Sequence, residues 1–167
     1  MKTNKLTFMA MFLAVALVLH MVEAMLPPFC SVPGVKLGLA NVITLMALRV
    51  FGKGEAFVLL MLRVVLGALI SGNIMASFYG FAGGVLCFVI EMVTNKLFDD
   101  EHIWMLSIIG AIMHNVGQIM LAVVLTSTTS IIWYFFPLTL AAIITGLLTG
   151  FVTMQVLKFK VIRQFRL

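Results

Sequence analysis

"WMLSIIGAIMHNVGQIMLAVVL", residues 104–125, runs for 22 residues without an acidic side chain, a lysine or an arginine. At about 1.5 Å per residue a helix of that length reaches ~33 Å, enough to cross the ~30 Å hydrocarbon core of a bilayer. Lipid offers no hydrogen bonds, yet "HNVGQ" sits inside the run. His114 and Gln118 are four residues apart and share one helical face, with Asn115 adjacent and Gly117 leaving room beside them. Polar side chains inside a span turn toward neighbouring protein or a cavity. The stretch therefore predicts a membrane helix in a bundle with a polar interior.

Working outward, the rest of the chain has the same character. Of its 167 residues 63% are hydrophobic and only 10% charged, where soluble domains carry about 25% charged residues. Apolar runs bounded by Pro, Gly or charge predict helices at Leu6 to Leu26, Leu37 to Val50, Glu55 to Ile70, Ile74 to Thr94, Trp104 to Leu125 and Ile131 to Leu157. The expected fold is an all-α membrane protein, a six-transmembrane-helix bundle forming a single integral domain over 1–167. The second run is short, with a reach of roughly 21 Å, so Pro27 to Lys36 is expected to dip into the membrane as a structured loop.

Six crossings place both termini on one side. Of the 11 basic residues, Lys2, Lys5, Arg49, Lys53, Lys96, Lys158, Lys160, Arg163 and Arg166 fall on that side. By the positive-inside rule it is cytoplasmic. The net charge of +5 is spread over loops and a tail, with no basic groove to follow phosphates, which excludes a nucleic-acid partner. Met1 to Ala24 has the layout of a secretory signal but is read as the first helix. Cys30 and Cys87 fall at opposite depths and read as packing residues. Small residues at four-residue spacing (Ala10 and Ala14, Gly80 and Gly84, Gly146 and Gly150) suit close helix approach.

Two cations escape the charge rule. Arg63 lies inside the third helix, where a charge costs about 2.5 to 3.5 kcal/mol on insertion scales, so it should face a cavity or a carboxylate. Glu23, with His20 one turn before it, is the candidate partner. Lys36 is read as beginning the second helix, where unpaired N–H groups and the helix dipole favour an anion. Gly34 and Gly38 would clear space there, and Asn41 would lie one turn further in, making half of an outward-open site. Together with Asn73 and the His114 patch, these polar groups occupy the outer halves of the helices, and the inner halves are expected to be poor in them. Gly52-Lys53-Gly54 lacks P-loop spacing, and neither a zinc set nor an activated nucleophile is apparent, so no catalysis or cofactor is expected. Asp99-Asp100-Glu101 reads as a solvated turn.

The residues "PGVKLGLAN" (33–41), "RVVLGALISG" (63–72), "YGFAGG" (79–84) and "HNVGQ" (114–118) resemble a bacterial membrane family, heptaprenyl diphosphate synthase component I, also called Gx transporter proteins. The architecture is similar to the S components of energy-coupling factor (ECF) transporters. That resemblance implies a multi-pass protein of the bacterial cytoplasmic membrane, with an outward pocket for a micronutrient or an isoprenoid or quinone precursor. It also implies a transmembrane coupling subunit and ATPases as partners, with Ala10 and Ala14 on the contact surface. Lys36, Arg63 and His114 would draw in an anionic or polar small-molecule ligand, and Asn41, Asn73, Asn115 and Gln118 would orient it. Glu23 and His20 would balance Arg63 or touch the ligand. The family's name implies instead an accessory membrane subunit of a polyprenyl diphosphate synthase. The chain has only Asp99 and Asp100 where soluble elongating synthases use two Asp-rich motifs to hold Mg²⁺. A proton-coupled carrier using His114 and Glu23 is a third alternative.

Overall fold

An unpaired backbone amide in hydrocarbon costs several kcal/mol, so apolar segments close their hydrogen bonds internally as helices. The computed structural model describes residues 2–25 and 38–159. They form six α-helices: α1 Lys2–Met25, α2 Asn41–Val50, α3 Lys53–Ser71, α4 Ile74–Thr94, α5 Ile103–Thr126 and α6 Phe135–Leu157. Short 3-10 turns occupy Asn95–Leu97, Asp100–His102 and Thr129–Tyr134, and no strand occurs among the described residues. Lys36, Cys30 and the Pro27 to Lys36 loop lie outside them.

Five helices are long and apolar enough to cross a membrane, and α2 is not. It has 10 residues, about 15 Å at the usual rise, or half of a bilayer core. It begins at Asn41 rather than near Lys36, which corrects the sequence expectation. Gly38 has φ +81, a left-handed conformation that no right-handed helix can run through. A turn replaces the expected helical residues, with the Asn41 N–H donating to Gly38 O at 2.9 Å. Asn41 therefore opens α2 instead of lying one turn inside it. The last helix also starts later than the apolar run does, after the Thr129–Tyr134 turn. Pro137, which has no N–H to give, sits in its first turn, where that donor would be unpaired anyway.

The short α2 touches each of the five other helices. Every residue from Asn41 to Val50 except Arg49 is buried, and Leu45, Phe51, Leu59, Leu60, Ile103 and Leu106 form the core around it. By contrast α1 and α6 present Val15, Val18, Leu140 and Leu148 outward, as lipid-facing helices should.

The closest packing joins α4, α5 and α6. A Cβ on Gly117 would lie 2.7 Å from Ala82 O, and one on Gly150 would lie 2.5 Å from Trp104 Cα. Only glycine allows those backbones to come so near. Lys5 near the start of α1 bonds Glu55 near the start of α3, and Leu157 and Lys158 share a cleft with Arg49 and Asp99 to Glu101. The start of α1 and the end of α6 therefore lie at one end of the bundle, called basal below; the opposite end is apical.

Candidate functional site

Six of the sequence-nominated residues meet in one cavity between α1, α2, α3 and α5: His20, Glu23, Asn41, Arg63, His114 and Gln118. Glu23, Asn41, Arg63, His114 and Gln118 are all buried. Each arrives by a separate local device. Arg63 projects from the middle of α3, and His114 and Gln118 stack one turn apart on α5. Asn41 is delivered by the turn that Gly38 permits, and a Cβ on Gly38 would meet His114 Cδ2 at 2.8 Å. His20 lies over Gly67, where a Cβ would come within 2.9 Å of its Nε2.

These groups form a continuous hydrogen-bonded chain. Arg63 Nη2 donates to Asn41 Oδ1 at 2.9 Å, Asn41 Nδ2 lies 2.8 Å from His114 Nδ1, and His114 Nε2 lies 2.6 Å from the Gln118 amide. The polarity of the chain follows from its first member. A guanidinium only donates, so Asn41 must accept with its oxygen and donate with its nitrogen. His114 Nδ1 is then the acceptor, which leaves the ring proton on Nε2. The Gln118 group facing that proton must be its carbonyl oxygen, since a half-turn of an amide exchanges the two ends. One permanent cation thus fixes the orientation of three neutral side chains.

Glu23 occupies the position foreseen for an external anion. Its Oε1 accepts from Gly38 N–H, and from Leu39 N–H at 3.3 Å. These are donors of the turn leading into α2, groups that otherwise lack a partner at a helix start. Glu23 and Arg63 also attract one another electrostatically. The anion-favouring end of α2 is therefore served by the protein's own carboxylate. The cavity has a volume of about 20 Å³, room for about one water.

Two nominated residues are not part of this cluster. Asn73 is exposed and caps α4, its side chain accepting from Ala76 N–H at 2.9 Å. Asn115 is buried but turned toward α6, where its Nδ2 donates to Leu138 O at 2.8 Å. One residue advances a helix by about 100°, which carries Asn115 off the face of His114. Lys36 lies outside the described residues. Ala10 and Ala14 are exposed on the outer surface of α1.

A second polar centre lies deeper and was missed in the sequence. Glu91 of α4 is 2% exposed and lines a small space with Ser107, Ala111, Thr145 and Thr149. The inner halves of the helices are thus not poor in polar groups, contrary to expectation. The signal was an acidic residue within the apolar run "CFVIEMV", three residues short of the end of its helix. Asp100, read as part of a solvated turn, lies 3.7 Å from Arg49, and Arg49 also donates to Phe98 O.

No curated protein and no solved structure matches the chain. A family profile does, over residues 12–156, which takes in α2 to α5 whole, most of α1 and α6, and every member of the polar chain. The chain belongs to the family described as heptaprenyl diphosphate synthase component I.

Proposed function

We infer that the protein is a non-catalytic, ligand-binding membrane subunit of the S-component type, serving an importer of a small anionic or polar molecule. In this reading six helical segments lie in the bacterial cytoplasmic membrane with both termini inside, an orientation that the distribution of lysine and arginine supports. The observation that carries it is the buried chain Arg63, Asn41, His114 and Gln118 beside Glu23 and His20. A buried arginine in a span is expensive and is a functional-site signal by default. Arg63 has five N–H donors, so it can serve ligand oxygens as well as Asn41. Anything larger than a water needs the Gly38 to Ala40 turn to draw back from His114. The exposed Ala10 and Ala14 face of α1 supports docking of a coupling subunit, and energy would come from partner ATPases.

The family description favours a second reading, an accessory subunit that docks a soluble prenyl synthase. An open basal cleft of about 610 Å³, lined by Arg49, Asp99, Asp100, Glu101 and Lys158, would suit such a partner. Native mass spectrometry of the purified full chain separates the two. The first reading expects a retained small molecule that Arg63→Gln and His114→Phe both release. Retention unchanged in both variants, with synthase capture lost when the basic residues of 158–166 are replaced, would establish the second and remove the first.

A further inference from the structure

The space beside Glu91 differs chemically from the cavity above it. Glu91 Oε2 is buried and has no hydrogen-bond partner, while the thiol of Cys87, one turn earlier, faces the same Gly110 as that carboxyl group. The opposite wall consists of hydroxyls whose protons are already committed. Thr145 Oγ1 donates to Ala141 O at 2.9 Å and Thr149 Oγ1 donates to Thr145 O at 2.7 Å. Ser107 Oγ lies 2.9 Å from Thr149 Oγ1. Because the single Thr149 proton is taken, Ser107 must be the donor in that pair. What remains facing the space, beside the Asn41 amide already engaged with Arg63 and His114, is the Glu91 carboxyl group and the lone pairs of three hydroxyls. None of the hydroxyls has a proton left to give.

An enclosure of acceptors around a buried carboxylate is unfavourable unless a positive charge or a proton enters it. The space is about 10 Å³, close to one water-sized particle. Hard oxygen ligands suit hard cations. Arg63, on α3, acts electrostatically on both Glu91 and Glu23. Among the described residues the groups that titrate against Glu91 are Arg63 and Cys87. From α2, α5 and α6 the lining side chains are Asn41, Val42, Ser107, Ala111, Thr145 and Thr149, none of them titratable.

We propose that this space is a site for one small monovalent cation, Na⁺ or a proton carried on the carboxyl, held by Glu91 with Ser107, Thr145 and Thr149. The site is independent of the ligand assignment above, but it shares Gly38 and Asn41 with the upper cavity. Filling one therefore bears on the backbone turn that shapes the other.

The test is the thermal unfolding midpoint of the full chain in detergent. Na⁺ is exchanged for N-methylglucamine at constant ionic strength, at mildly acidic and mildly alkaline pH. A Na⁺ site raises the midpoint with added Na⁺, saturably and more at alkaline pH, where protons compete less. A proton site shows no Na⁺ response, but its midpoint falls as pH rises, because a proton held only in the folded protein stabilises it below the pH at which it is released. Either response disappears in Glu91→Gln. Thr145→Val, which keeps the side-chain shape, raises the half-saturating Na⁺ concentration by about tenfold and stands in if Glu91→Gln fails to fold. A wild-type midpoint indifferent to both ions, or a Glu91→Gln variant responding as the wild type does, overturns the proposal.

Discussion

The two polar centres of this bundle sit in the same apolar enclosure and solve opposite problems. The upper one begins with a donor, Arg63, and every group after it is oriented to pass that polarity on to Gln118. The lower one ends in acceptors, with Glu91 facing hydroxyls whose protons are spent along α6. Polar residues in a membrane interior are thus better described by the direction of their hydrogen bonds than by their number. A centre linked from within holds helices together and keeps only the spare donors of its arginine for a ligand, while one with unanswered lone pairs waits for something to complete it.

That contrast makes three predictions about stability. The largest concerns Arg63→Met, which removes the head of the upper chain and leaves Asn41 Oδ1 and Glu23 without its guanidinium. Breaking a buried charged contact from one side should cost about 3–5 kcal/mol, read by unfolding in mixed micelles. Glu91→Gln should cost far less, and equal losses would erase the distinction between an interlocked and an incomplete centre. Intermediate effects are expected at the glycines beneath each centre. A Cβ at Gly83 would lie 2.6 Å from the backbone oxygen of His114, and one at Gly110 would lie 2.2 Å from Glu91 Oε1. A side chain can swing aside and a backbone cannot, so Gly83→Ala should lose more than Gly110→Ala, which should stay within the ~1–3 kcal/mol usual for overpacking. Midpoint shifts in the reverse order would mean that Glu91 is held more rigidly than His114. The smallest effect should follow Asn73→Ala. It removes an exposed cap worth about 1 kcal/mol and should leave ligand retention untouched; loss of retention would bring Asn73 back into the upper centre.

Much of this arrangement could be read along the chain. Apolar runs with few charges, long enough to cross a bilayer core, marked the five long helices, and Arg63 and His114 stood out because such runs rarely hold them. The start of α2 was hidden, since the left-handed backbone at Gly38 is a property of conformation that its identity only permits. Depth was easier to infer than azimuth. Asn115 and Asn73 lie in the right half of the molecule, yet one is rotated toward α6 and the other is occupied at a helix start. Glu91 escaped notice because a carboxylate three residues from a helix end ordinarily reaches water. It is the close approach of α5 at Gly110 and of α6 at Gly146 that encloses it.

Those glycine contacts also decide which part of the molecule can yield. Where Gly117 lies against Ala82 and Gly150 against Trp104, neighbouring backbones touch with no side chain between them to act as a cushion, so α4, α5 and α6 form a stiff slab. The rest of the upper cavity's wall is built from α3, a ten-residue helix, a glycine turn and a peripheral α1. If the upper cavity takes a ligand, opening belongs to the turn and short helix of that wall, with the slab as the fixed jaw of the clamp.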